Sequence, residues 1–355
     1  MPRGSTIRKI ARSAAKGVAK GVALIAHGGA GGRAPTSERA TRRRALLAAV
    51  DSGARILRDG GSALDAVAAT VKMLEDDPLF NAGYGSVLTL DGQVEMDAAV
   101  MVAEHSRTNQ SSPNGASGAA ARDPASAMIR IRAGGVVLVS RVRNPILLAR
   151  AVMELTLHVL LGGAAAERLA RRAGLELCRP DELISERSRE RWRRLIESRA
   201  TAADDEVDRH GTVGAVAIDA HGDIAAATST GGISGKLPGR IGDSAIIGAG
   251  LFGDARGGAS ATGTGEAILR MGLCREAVLA LEHEAPTKVA ERAIARLAEE
   301  TNAQAGIVLV DSSGRIGYAH NAQAMQIAIF DSQGLRHFAV EPRTSGRTRL
   351  NSARE

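Results

Sequence analysis

The stretch HGTVGAVAIDAHGDIAAATSTGGISGKLPGRIGDS, residues 210–244, decides how the chain folds. Residues 213–219 and 223–228 are runs of small and β-branched apolar residues, joined by Ala220-His221-Gly222. That pattern predicts two buried strands facing each other. Gly211 stands before Thr212, which opens the first strand. Glycine has no Cβ and tolerates the distorted backbone that would let a following hydroxyl attack the preceding carbonyl. A cut there would free an α-amine on Thr212, with a reference pKa of about 7.7–8.0. Such an amine can take the proton of its own hydroxyl, with no histidine base. The plain alternative is a threonine that begins a strand.

Just beyond the hairpin, Thr228-Ser229-Thr230-Gly231-Gly232 would bring hydroxyls beside Thr212. The loop Lys236-Leu237-Pro238-Gly239-Arg240-Ile241-Gly242-Asp243 holds a guanidinium and a carboxylate. Together they would grip the carboxylate and ammonium of an amino acid, or simply pair as a loop salt bridge. Thr262-Gly263-Thr264-Gly265-Glu266 opens a helix, where backbone N–H groups either hold a developing oxyanion or form a capping turn. Far upstream, His27-Gly28-Gly29-Ala30-Gly31 follows a short apolar strand at 22–26. It reads as an anion cradle or as a tight strand-to-helix turn, and it lacks the Gly-x-x-x-x-Gly-Lys pattern.

The remaining chain frames these motifs. Helices are predicted at about 37–58, 62–75, 145–161, 264–282 and 287–301, with Ser62 as an N-cap and a helical, charged stretch over 164–200. Residues 87–90 and 93–96 flank Asp91-Gly92, a hairpin signal. Strands are expected at 135–140, 246–251 and 259–261, and a β-meander at 307–311, 314–319, 325–330 and 335–340. Residues 105–127, rich in Ser, Asn, Gly and Ala, read as a surface insertion, and 201–209 as an acidic linker. Strands in the middle with helices on both flanks suggest a layered sandwich of antiparallel hairpins.

Composition closes off several functions. The chain has 355 residues, 44% hydrophobic and 24% charged, which is globular. No apolar run approaches the roughly 18 residues needed to span a bilayer. Cys178 and Cys274 are the only cysteines, which excludes a disulfide framework and a cysteine-rich zinc site. Aromatics are 2%, too few for base-stacking platforms. The net charge of +7 sits at one end: residues 1–44 hold eleven Lys/Arg against Glu38 alone, so the rest of the chain carries −3. The basic excess belongs to an arm over about 1–21, a solvated extension or a targeting or binding segment, and not to the body. A cytoplasmic protein without nucleic-acid or membrane partners is expected.

Taken together, IAHGGAGG (25–32), GGSALDAVAATVKMLEDDPLFNAGYGSV (60–87), MDAAVM (96–101), RNPILLARAVME (143–154), the 210–244 block and ATGTGEAILR (261–270) resemble the plant-type asparaginase/isoaspartyl peptidase family of N-terminal-nucleophile hydrolases. The resemblance runs from about residue 22 to 340. It implies an α+β fold, a four-layer αββα sandwich built jointly by an α-subunit, 22–211, and a β-subunit, 212–355. It also implies autocleavage between Gly211 and Thr212, with Thr212 as nucleophile and Thr230 supporting it. Arg240 would bind the substrate α-carboxylate and Asp243 its α-amine. Thr262 and Gly263 would form the oxyanion hole, with Gly265 lining the pocket and Asn81 nearby.

By the same resemblance, Leu74, Glu75, Asp77, Phe80, Ala82 and Tyr84 would offer backbone carbonyls to a structural sodium ion, and catalysis would need no cofactor. The substrates implied are L-asparagine and β-aspartyl dipeptides, and the working unit a dimer of αβ heterodimers. The chain departs from the family's pattern in the segment from Val102 to Arg132, where a short Asp-Gly turn is usual, in its basic arm, in Asn302-Ala303-Gln304-Ala305-Gly306, and at Ala324. Rival readings are a glycosylasparaginase-like or protein-cutting threonine hydrolase, and a non-processing scaffold with a basic binding arm.

Overall fold

A computed structural model describes residues 21–105, 129–200 and 211–340. The basic arm, the acidic linker up to residue 210 and the centre of the expected insertion, 106–128, lie outside the described residues.

The described residues form a mixed α and β structure with eight α-helices and two sheets. The larger sheet contains β1 (Ala23–Gly31), β2 (Met96–His105), β3 (Ile129–Val139), β4 (Leu160–Gly162), β5 (Val213–Ile218), β6 (Ile224–Thr230), β11 (Ala324–Asp331) and β12 (Gly334–Val340). Its order is β12-β11-β1-β5-β6-β2-β3-β4, antiparallel except for β3–β4. The smaller sheet, β10-β9-β8-β7, contains β7 (Leu251–Asp254), β8 (Gly257–Gly263), β9 (Ala305–Asp311) and β10 (Ile316–His320).

Side-chain alternation sorts the strands into three apolar clusters, because successive strand residues face opposite ways. Along β5, Val213, Ala215 and Ala217 join residues of α1 (Thr36–Arg58), α2 (Ala63–Asp76), α3 (Pro145–Leu155) and α4 (Gly163–Arg172). Val216 and Ile218 instead join Leu251, Val308 and Val310 of the smaller sheet. On that sheet, Ala259, Ala261, Ile307 and Leu309 turn toward α6 (Gly265–Met271), α7 (Leu273–Ala280) and α8 (Pro286–Thr301). The remaining helix, α5, spans Glu186–Ala200.

The 213–228 hairpin forms as expected, with Val213 opposite Ser229. Its turn also starts α2: the Asp219 carboxylate accepts from the Ala63 N–H at 2.9 Å, and Ser62 caps the helix through the Asp65 N–H.

Elsewhere the structure corrects the sequence reading. The glycine-rich motif is not a turn after a strand; it is the second half of β1, where a bulge between His27 and Ala30 absorbs it. The helix from Pro145 ends at Leu155, and residues 160–162 become an edge strand. The stretch 164–200 breaks around Pro180 into α4 and α5, and 264–282 breaks at Gly272 (φ 57°) into α6 and α7. The 87–96 hairpin is a single bridge, Leu88 to Val94. Strand β7 starts at Leu251, where a strand over 246–251 was expected to end. Residues 102–105 and 129–132 of the expected insertion are paired strand, out to His105 opposite Ile129. The C-terminal meander divides between sheets: β9–β10 stay in the smaller one and β11–β12 close the edge of the larger.

Candidate active site

Thr212 directly precedes β5, the strand between β1 and β6. It is buried, and its Oγ1 shares a 3.1 Å hydrogen bond with the Oγ of Ser244. Ser244 is fully buried, and its carbonyl accepts from the Thr228 hydroxyl. The register of β5 and β6 puts Thr230 across from Thr212, within the hydroxyl-bearing segment that the hairpin was expected to bring there. The Thr230 Oγ1 accepts from the Gly232 N–H at 3.0 Å.

Gly211 has no room for a side chain. A Cβ there would lie 2.5 Å from Thr262 Oγ1 and 2.6 Å from the Cα of Gly29. Gly29 is likewise constrained, with φ at +100° and a would-be Cβ 2.8 Å from the Gly211 carbonyl oxygen. Gly29 of the glycine-rich motif therefore serves backbone-to-backbone clearance at residue 211. Thr262 Oγ1 accepts from the Ala30 N–H at 3.2 Å, so the hydroxyl bridges the bulge of β1 and Gly211. Gly263 follows at φ +138°, where a Cβ would strike Ala305 and the Gln304 carbonyl at 2.5 Å.

A second group sits on the loop after β6. Arg240 does not pair with Asp243. Its Nε and Nη2 donate to Glu266 Oε1 at 2.9 and 2.8 Å. Partial burial raises the Glu266 pKa, but that guanidinium prevails and holds the carboxyl below its ordinary value. Asp243 is buried, with its Oδ2 unpartnered. Burial pushes its pKa up to about 7, against the pull of Arg240. A Cβ on Gly265 would lie 2.6 Å from Asp243 Oδ1 and 2.9 Å from Arg240 Nη2, so glycine keeps the space above both charges open. Asp243 and Ser244 are consecutive, which joins this charged pocket to the Thr212 hydroxyl.

Asn81 braces the turn after Thr230: its amide donates to the Gly232 carbonyl at 2.7 Å, and its Oδ1 accepts from the Val87 N–H at 3.0 Å. Gly231 N–H also donates to the Asn81 carbonyl. In the loop that Asn81 closes, the carbonyls of Asp77, Pro78 and Phe80 all lie within 3.1 Å of the point a Gly85 Cβ would occupy. Glu75 is buried there, its Oε1 accepting from the Ile146 N–H at 2.9 Å, and burial pushes its pKa up to about 8.

Several residues escaped the sequence reading. Ser244 lay inside the decisive stretch without a role. His27 is buried with its Nε2 2.7 Å from Ser260 Oγ. Burial pushes its pKa down to about 3, so the ring is neutral at ordinary pH. Glu266 closed the motif 262–266, which was read for its backbone N–H groups and not for this carboxylate. Asp97, inside the apolar run Met96–Val100, accepts from the Leu138 N–H at 3.0 Å and the Gly242 N–H at 3.4 Å. A carboxylate in an otherwise apolar strand was the available signal.

A family model described as asparaginase matches residues 20–110 and 127–340. The chain is 36% identical over 319 residues to the isoaspartyl peptidase/L-asparaginase of Danio rerio, covering 89% of this chain and 94% of that protein. It is 34% identical over 321 residues to the protein of the same name from Homo sapiens, covering 90% and 96%. It is 39% identical over 331 residues to the plant-type L-asparaginase of Pyrococcus furiosus, covering 89% and 98%. The matched stretches include Thr212, Arg240 and Asp243 and extend over most of the chain, which therefore belongs to the asparaginase family.

Proposed function

We propose that this enzyme hydrolyses the side-chain amide of L-asparagine and the isopeptide bond of β-aspartyl dipeptides, after cutting its own chain between Gly211 and Thr212. The observation that carries this reading is the buried Thr212 hydroxyl at the head of β5, behind a glycine packed without clearance against Gly29 and Thr262. In maturation, Thr212 Oγ1 attacks the Gly211 carbonyl, the C–N bond breaks to leave an ester and a free amine, and water releases the Gly211 carboxylate. In turnover, the Thr212 amine takes the hydroxyl proton, and Oγ1 attacks the amide carbon. The proton passes to the leaving nitrogen, which departs as ammonia or an amino acid, and water releases L-aspartate.

Arg240 meets the substrate α-carboxylate and the Asp243 carboxylate its ammonium. The unpartnered Asp243 Oδ2 and the open face of Gly265 support that assignment. Thr262 and Gly263 hold the oxyanion, with Thr230 and Asn81 keeping the strand end in place. We read the three clusters as the interior of the four-layer αββα sandwich, with two copies of the cut chain forming a dimer of αβ heterodimers. A structural sodium ion fits the 74–84 loop, since carbonyls of Asp77 and Phe80 converge there and Leu74, Glu75, Ala82 and Tyr84 lie along it. Such an ion would stiffen the loop without entering the reaction. No helix among the described residues is long and apolar enough to cross a membrane, and the buried free Cys178 and Cys274 suit a reducing cytoplasm.

Intact-mass and N-terminal analysis of active protein tests the central step. A new terminus beginning Thr-Val-Gly-Ala is expected, and Thr212→Ala is expected to stay one chain without amidase activity. Full activity with no such terminus would overturn the proposal. Assays on asparagine, β-aspartyl-leucine and glycosylated asparagine decide the substrate, and activity confined to the last would point to the glycosylasparaginase-like alternative.

A further inference from the structure

We infer that Asp97 is the positioning residue that sets Arg240 and Asp243 for the α-amino-acid head of the substrate, an inference that rests on the roles proposed above for those two residues. Asp97 lies on β2 with no solvent exposure. A carboxylate in such a place is costly unless its oxygens are bonded and its charge balanced. Both oxygens are used, by the Leu138 N–H on β3 and by the Gly242 N–H. Gly242 lies between Arg240 and Asp243, so one backbone bond fixes the segment that carries both charges.

The arrangement is built into the strands. The β2–β3 register breaks between Met96 and Ala98, so Asp97 sits at an irregularity. Leu138, which donates to it, has φ +55°, a conformation a leucine adopts only when its surroundings hold it there. Lys236 offsets part of the charge, while burial still holds the Asp97 carboxyl above its ordinary pKa. Lys236 is buried, its Nζ donates to the Glu95 carbonyl at 2.8 Å, and it and Arg240 are the cations acting on Asp97. The anions on the other side of Arg240 are Asp243 and Glu266. Cations and anions thus alternate from Lys236 to Glu266, with Asp97 as the member anchored in the sheet. The hydrogen bonds of Asp97 run to the head-group loop and to β3, whereas the Thr212 hydroxyl is held by Ser244. Its influence should therefore fall on binding and leave the acyl chemistry largely alone.

Asp97→Asn keeps the volume but presents an amide donor to one of two N–H groups and removes the negative charge that acts on Lys236, which keeps its bond to the Glu95 carbonyl. The expected result is complete cleavage at 211–212, a KM for L-asparagine raised tenfold or more, a Kd for L-aspartate by calorimetry raised in parallel, and kcat within about threefold. A matured variant with KM and Kd unchanged, or with the loss confined to kcat, overturns the inference. Should Asp97→Asn yield no matured protein, Lys236→Gln decides: KM and Kd should rise two- to fivefold at constant kcat, and no change there overturns it. Arg240→Ala is measured alongside. If it leaves the L-aspartate Kd intact, the head-group roles themselves fail. If it weakens binding while Asp97→Asn does not, only the positioning role fails.

Discussion

The Oγ1 of Thr212 and the Oγ of Ser244 lie 3.1 Å apart, both buried, with Ser244 in turn anchored through its carbonyl to the Thr228 hydroxyl. The hydroxyl proposed as the attacking group is thus held by a second hydroxyl that belongs to the same loop as the charged pocket. Removing Oγ with Ser244→Ala deletes a neutral hydrogen bond, a loss of about 0.5–1.5 kcal/mol. Maturation or turnover should slow by about two- to tenfold. A mass time course of cleavage and single-turnover kinetics would detect it, and unchanged rates in both would dismiss the contact as incidental.

Gly29→Ala should be far more damaging than its size suggests. The new methyl would stand 2.8 Å from the Gly211 carbonyl oxygen in a left-handed backbone, which costs a non-glycine residue about 1–2 kcal/mol before any clash. Displacing that carbonyl should retard self-cleavage by a hundredfold or more. Uncut chain persisting for days by mass analysis is the expected outcome, with the folded core preserved by circular dichroism.

Arg240→Ala should mature normally, because the guanidinium is bonded to Glu266 and faces the pocket rather than the 211–212 bond. Charge-assisted bonds to a carboxylate contribute about 1.5–3 kcal/mol, so KM should rise at least tenfold. Failure to mature would show that Arg240 has a role in building the site.

Asp243 gives a pH signature. Burial pushes its pKa up to about 7, so below that pH the group that should meet an ammonium is neutral. Binding of L-aspartate should tighten as pH rises from 6 to 8, and Asp243→Asn should bind weakly with a flatter profile. Stability moves the opposite way. The folded state keeps a proton that the unfolded carboxyl loses near its ordinary value of 3.8, so this contribution is whole at or below about pH 4 and is lost as pH climbs through about 7. Asp243→Asn should therefore show a smaller fall in unfolding temperature between pH 4 and 8 than the parent. Buried Glu75, pushed up to about 8 in the same direction, would account for part of the decline that remains.

What could be read from the sequence was local. Two apolar runs about a three-residue turn were enough to bring the hydroxyls of residues 228–230 beside Thr212, and the strand register then sets Thr230 across from it. Gly272 and Pro180 carried the helix breaks, but both lay inside stretches whose helical signal was otherwise strong. The role of Gly29 was invisible because its reason is Gly211, distant in sequence and adjacent only after folding. The Arg240 and Asp243 pair was noticed, yet the partner of Arg240 is Glu266 from the start of α6, and no spacing rule connects them. The strands after residue 305 were placed correctly, while the sheet each would join depends on long-range pairing that periodicity does not encode.

The strand order carries one more consequence. β1 comes from the segment before residue 211 and is wedged between β11 and β5 from the segment after it, while β6 of the later segment rests on β2 of the earlier. The two segments interdigitate like shuffled cards. Once severed, they should not drift apart on dilution, since parting would unzip three ladders at once. Made as separate polypeptides, each would expose unpaired strand edges prone to clumping. Assembly before scission is the only order of events that this interleaving readily permits.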